Sequence, residues 1–232
     1  MIAHELMIKT NHYLIKGGVL TSAHKANITR RLLSARSDGR KKPRFMQEDP
    51  TMYPQYFIPP YNNGVKFQTV IPMSPKTHIL AANSYELEII RLLHMFAQHD
   101  DDVRHMVDKT LNRLQQTCFG NKSCYTGECF EAGMVTLRFI STVLPDNTGW
   151  IKKQINVFNS HYNDKRRPAG VLKYYWLCLS EMPFDIAEPE ISRHRGNILS
   201  ELNRKPQSKD SDDDSHLVLA GLMQNTVARL PE

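Results

Sequence analysis

The sequence predicts an all-α protein built of stacked antiparallel helical hairpins, and three observations lead there. From Ser84 onward, an apolar helix, a short acidic or proline-marked turn and an amphipathic helix recur about every 43 residues. Hairpins repeated in this way bury their apolar faces only against their neighbours. The first helix of each copy is apolar on more than one side, whereas the second carries a narrow stripe, so the pattern separates inner from outer helices. Finally, Leu-Pro-Asp at Leu144, Met-Pro-Phe-Asp at Met182 and Leu-Pro-Glu at Leu230 each follow a first helix. Proline there blocks the next helical turn.

Taken in order, residues 1–36 read as a separate N-terminal hairpin. Met1 to Tyr13 and Ser22 to Ala35 form its helices, Gly17-Gly18 its turn, and Thr21 or Ser22 its second cap. Residues 37–83 change character. Pro50, Pro54, Pro59, Pro60, Pro72 and Pro75 exclude a long helix, while Phe45, Tyr53, Tyr56, Phe57, Tyr61 and Phe67 favour a segment packed on the helices over a free linker. Any site on the array is expected to be lined by this segment, with Tyr56 and Tyr61 as binding residues.

Residues 84–232 form the array, in copies over about 84–126, 127–168, 169–213 and an incomplete 214–232. Their first helices lie in Ser84 to Ala97, Gly127 to Thr142, Ala169 to Met182 and Ser215 to Leu230; the second helices lie in Asp101 to Cys118, Asn147 to Tyr162 and Glu188 to Lys205. Asp100, Asp101 and Asp102 supply side-chain oxygens for a helix start, as do Asn147 and Thr148. The last first-type helix, with Leu217, Leu219, Leu222, Val227 and Leu230, has no second helix after it. Either it caps the array or the chain is a truncated form of a longer protein, in which case the bare apolar face predicts self-association.

In period and pattern, Ser84 to Glu232 resemble the helical-repeat scaffolds of HEAT-like proteins, an α-solenoid, and more distantly the α/α toroids. No residue motif carries the likeness. It implies an open solenoid or an incomplete ring, because the copies here are fewer than a closed toroid uses.

Composition sets mild bounds. With 232 residues and 41% apolar residues the chain can build one sizeable domain. No run of about 18 apolar residues is present, and Glu5, Lys9 and Lys16 interrupt the start, so neither a membrane span nor an export signal is expected. Four cysteines make no disulfide framework, which fits a cytoplasmic protein.

Three groups of residues carry candidate chemistry. Cys118, Cys124 and Cys129 could supply thiolates to zinc, but without a C-x-x-C pair the spacing fits a closed site poorly, and free apolar thiols, like Cys178 one repeat on, are the simpler reading. Neither metal nor cofactor is expected. Glu128 and Glu131 share one helix face near its start, and Glu86 and Glu88 open another first helix. Acids gathered at one rim could do general acid and base work, although glutamate in a first turn also serves the helix dipole. Arg30, Arg31, Arg36, Arg40, Lys41, Lys42 and Arg44 form one basic cluster and Lys165, Arg166 and Arg167 another, in a chain of formal charge +6. They suit nucleic-acid phosphates or, more simply, a solvated surface. His4-Glu5 lacks the second histidine of a zinc-protease helix, and no phosphate-binding glycine loop or nucleophile elbow is present.

The expected function is a non-catalytic, cytoplasmic interaction module whose concave face binds another protein, with Tyr174, Tyr175 and Trp176 as aromatic candidates beside Tyr56 and Tyr61. An enzyme on a toroid-like scaffold, using Glu86, Glu128 and Glu131, is the alternative; a nucleic-acid binder comes third.

Overall fold

The computed structural model describes residues 3–36, 54–56, 67–71, 78–122, 127–162, 169–203 and 213–229. Among them the protein is all-helical: α1 (Ala3–Ile15), α2 (Ser22–Ser34), α3 (His78–Ala97), α4 (Asp101–Gln115), α5 (Gly127–Val143), α6 (Thr148–Tyr162), α7 (Ala169–Glu181), α8 (Phe184–Leu202) and α9 (Asp213–Val227), with a π-helical turn at Cys118–Lys122.

Local chemistry accounts for several of the boundaries. Thr21 caps α2, its hydroxyl accepting from the His24 N–H at 3.2 Å, and Asp100 caps α4 by accepting from the Asp102 and Val103 N–H groups at 2.9 and 3.2 Å. Gly17 turns the chain between α1 and α2 at φ +81°, where a side chain would be strained. At Gly18 an added Cβ would meet the Tyr13 ring at 2.4 Å, so a larger residue there would have to displace that exposed ring.

Two helices start earlier than their sequence signals suggest. The first is α3, which begins at His78, because Asn83 and Ser84 do not cap it: their side chains donate back into the helix, to the Ile79 and Ala81 carbonyls. This is the local bonding that lets such residues sit inside a helix. Likewise α8 begins at Phe184 and runs through Pro189. Proline has no N–H to offer the Asp185 carbonyl; both residues lie on the exposed side, where water can take its place.

Burial separates the helices into two kinds. In α3, α5 and α7 apolar burial extends around the helix, as in Leu87, Ile89, Ile90, Leu92 and Leu93 of α3. By contrast α4 buries one stripe, Val103, Met106, Val107, Thr110, Arg113 and Leu114, at the three-to-four spacing of an amphipathic helix. Contacts run from α1 to α3, α3 to α5, α5 to α7 and α7 to α9, and α9 in turn packs on α1. The even-numbered helices lean on this set, α2 on α1 and α3, α4 on α3, α6 on α5, and α8 on α7 and α9.

Cross-contacts give the helix directions. His4 and Asn11 of α1 meet Tyr85 and Arg91 of α3, so these helices run the same way. Leu80 and Arg91 of α3 meet Glu128 and Thr142 of α5, while Met134 and Arg138 of α5 meet Cys178 and Glu181 of α7, again in parallel. At the far end Arg229 reaches the Leu179 carbonyl, and Asn225 reaches the carbonyl of Ile15. The C-terminal ends of the odd-numbered helices therefore gather at one end of the molecule, where short turns lead into α2, α4, α6 and α8.

Of the α9 residues that the sequence leaves without a cover, Leu222 is buried within the chain beside Val218 and Met223, where α9 packs against α1, α7 and α8, and Leu219 and Val227 are half-buried; the side chains of Leu217 and Leu230 lie outside the described residues. The cover comes from α1, far away in sequence, and from α7 and α8 before it.

Candidate functional site

Charged residues in the middle of nearly all-apolar helices have few ways to be satisfied. Three such residues, Glu88, Arg91 and Arg138, satisfy one another here together with Glu181 at the end of α7. Arg138 of α5 donates through Nε and Nη2 to the Glu181 carboxylate at 2.8 and 2.7 Å, and through Nη1 to Glu88 of α3 at 2.7 Å. Arg91 of α3 donates to the same Glu181 at 2.7 Å, to the Thr142 hydroxyl at 3.0 Å and to the Asn11 amide oxygen at 3.4 Å. Tyr174 of α7 completes the set, its hydroxyl donating to Glu88. Two positive and two negative groups from α3, α5 and α7 are thus paired in a place from which water is nearly excluded.

The electrostatics follow from burial and pairing together. Burial alone would raise the Glu181 carboxyl; the Arg138 and Arg91 guanidiniums overcome that and bring it down to about 2. Burial also works against the Arg138 charge, and Glu181 and Glu88 outweigh it, so the guanidinium holds its proton more firmly than usual. For Tyr174, burial and then the adjacent Glu88 carboxylate both push the phenol's pKa up, which keeps the hydroxyl a donor.

Exposure is uneven across the network. The side chains of Arg138, Glu88 and Arg91 are 1%, 2% and 4% exposed, whereas that of Glu181, the last residue of α7, is 28% exposed. Glu181 forms the solvent-facing side of an otherwise sealed cluster.

A second buried pair lies between α3 and α4. Glu86 accepts from Arg113 at 2.5 Å and from the Gln55 N–H at 2.7 Å, while Arg113 also reaches Asn83 at 3.0 Å. Burial pushes the Glu86 carboxyl up, against the pull of Arg113. A third cluster joins α6, α7 and α8, where Glu190 accepts from Tyr175, Asn159 and Arg193 at 2.9, 2.8 and 2.8 Å.

The residues singled out in the sequence fall as follows. Glu86 is held by Arg113, and Glu128 accepts from the Leu80 N–H at 3.3 Å, so it serves the free N-terminus of α3; Glu131 is half-buried on α5. Tyr174, Tyr175 and Trp176 are all buried, at successive positions that point around α7 and so meet neighbours on several sides. Tyr56 is buried too, donating to the Leu32 carbonyl at 3.1 Å, and Gln55 beside it donates to Met106 and Thr110 of α4. Tyr61 and Cys124 lie outside the described residues, as do Arg40, Lys41, Lys42, Arg44, Lys165, Arg166 and Arg167. Cys118 is exposed, Cys129 half-buried and Cys178 buried, its thiol pushed up by burial and directed at the Met134 carbonyl. Among the described residues no three His, Cys, Asp or Glu side chains gather as metal ligands, and no helix is long and apolar enough to cross a membrane.

Sequence reading missed Arg91, Arg138 and Glu181. A signal was present, since Arg91 stands between Ile90 and Leu92 and Arg138 between Leu137 and Phe139, in helices apolar on nearly every side. An arginine there needs a buried anion.

The turn end of the molecule also carries most of the large apolar side chains that the described residues expose. Tyr13, Val19, Met95, Leu144 and Phe184 all lie at C-terminal ends of odd-numbered helices or just beyond, with Val19 85% exposed. At this end a groove of about 490 Å³ opens between α2 and the end of α3, with Phe96, Leu33 and Ala26 in its wall and Lys25 and Arg30 among its lining. The Lys25 ammonium stands 6.0 Å from the Phe96 ring centroid.

Fold and site together define an all-α protein with a charge-balanced polar centre. No protein-family model, curated protein or solved structure matches the chain.

Proposed function

We propose that this is a non-catalytic interaction module, a cytoplasmic array of helical hairpins that binds another protein with the end where its short turns gather. The odd-numbered helices form a circuit of contacts, because α9 returns to α1. That favours the toroid-like arrangement over the open solenoid.

The observation that carries the reading is the grouping of Tyr13, Val19, Met95, Leu144 and Phe184 at one end, beside the groove of α2 and α3. Exposed apolar side chains scattered singly need no explanation, but a group of them at one end of a molecule marks a surface for a partner. Lys25 and Arg30 in the groove favour a partner segment with acidic residues next to apolar ones. The enzyme reading draws little support from Glu86 and Glu128, whose oxygens are already engaged by Arg113 and by the start of α3.

The test compares affinity purification of the wild-type chain with a Val19→Asp, Leu144→Asp, Phe184→Asp variant from the native host, followed by direct binding of a recovered protein. The expected result is a partner that binds the purified wild-type chain and binds the variant at least tenfold more weakly, about 1.4 kcal/mol or more. Equal binding of both chains would overturn the reading.

A further inference from the structure

We propose that Arg91 and Arg138 form a carboxylate-binding site that Glu181 fills as an exchangeable internal ligand, and that a carboxylate of the partner takes its place. The inference rests on the interaction reading above and names the chemistry of the contact.

Three N–H groups converge on the Glu181 carboxylate at 2.7 to 2.8 Å, two from Arg138 in the fork geometry that suits a planar carboxylate and one from Arg91. The two carboxylates of the cluster differ in every respect that governs exchange. Glu88 is sealed, bound on its other oxygen by Tyr174, and sits mid-helix in α3. Glu181 keeps a solvent route and closes α7, with Met182 and Pro183 following. Swinging its side chain outward breaks no helical hydrogen bond.

Charge determines what can replace it. With Glu181 withdrawn, Arg91 and Arg138 face Glu88 alone, leaving one buried positive charge in excess, which is strongly unfavourable until a single negative charge fills the gap. A monoanionic carboxylate restores the balance, and a doubly charged phosphate overshoots it. The entrance suits a protein donor, because exposed Met95, Leu144 and Phe184 lie within a turn in sequence of Arg91, Thr142 and Glu181. A partner glutamate or aspartate flanked by apolar residues matches both features. Glu181 competes as an intramolecular ligand at high effective concentration, so a free carboxylate binds the wild-type chain weakly and a docked one well.

Formate, with chloride at equal ionic strength as the control, is the probe for the full-length chain and its Glu181→Ala variant. Formate is expected to raise the melting temperature of Glu181→Ala in a saturable way, with an apparent affinity at least about tenfold above that for the wild type, and Arg91→Gln in the same background is expected to abolish the effect. If Glu181→Ala does not fold alone, refolding in formate but not in chloride supports the site, and failure in both overturns it. In the wild type, the Arg138 Nε–H resonance should shift as formate is added; an unmoved resonance, or a formate effect no larger than that of chloride on Glu181→Ala, overturns the proposal. Formate binding beside unchanged partner capture by the Val19, Leu144 and Phe184 variant would sink the interaction reading and leave the carboxylate site standing. The reverse outcome would leave docking to the apolar contacts alone.

Discussion

Glu181 is the residue at which burial, charge and solvent access meet. Its carboxyl titrates at about 2 in the folded chain, against an ordinary 4.5, because the two guanidiniums favour the charged form. A group depressed by folding contributes stability that is fully present above its unfolded pKa and is lost as pH falls through the folded one. The stability of the wild-type chain should therefore drop between pH 4.5 and about 2 through this residue, and Glu181→Gln should flatten that part of the profile. Urea unfolding at a series of acidic pH values measures it; identical slopes in the two proteins would mean that Glu181 is not held by Arg91 and Arg138 as described. Removing an arginine is a harsher change, since it leaves a buried carboxylate without its partner.

At the scale of the element, the caps and breaks are local and separable from the core. Asp100 offers its carboxylate oxygen to two N–H groups at the start of α4. Asp100→Ala should cost about 1 kcal/mol, read as a lower denaturant midpoint at unchanged slope, while Asp101→Ala, one residue into the helix and exposed, should cost clearly less. Equal losses would show that negative charge near the helix start matters and the cap geometry does not. The mid-helix proline of α8 makes the complementary point: an element tolerates a missing N–H where the orphaned carbonyl can reach water.

For the whole molecule, the contact between α9 and α1 joins the two ends of the described chain. Leu222 is fully buried in this region, so Leu222→Glu would place an unpaired carboxylate in the core rather than relieve a sticky surface. A loss of about 3 kcal/mol or more is expected, seen as a fall in melting temperature with Gln224→Glu, on the exposed side of α9, as an unaffected control. Sedimentation velocity separates the alternatives. A stable variant that merely changed from oligomer to monomer would mean that α9 serves a second copy of the chain.

The sequence by itself determined the helical class, the inner and outer character of most helices, the Thr21 and Asp100 caps and the turn at Gly17 and Gly18, because these depend on residues within a few positions of one another. It misplaced the starts of α3 and α8, which begin at His78 and Phe184, ahead of Ser84 and Glu188. The polar centre was out of its reach. Arg138 finds Glu88 and Glu181 at separations of 50 and 43 residues, and Arg91 finds Glu181 at 90. No periodicity encodes which buried arginine meets which carboxylate, or that α1 covers α9. Those pairings arise only when packing removes water from all of the helices at once, and each buried charge must then accept whichever opposite charge the fold has brought beside it.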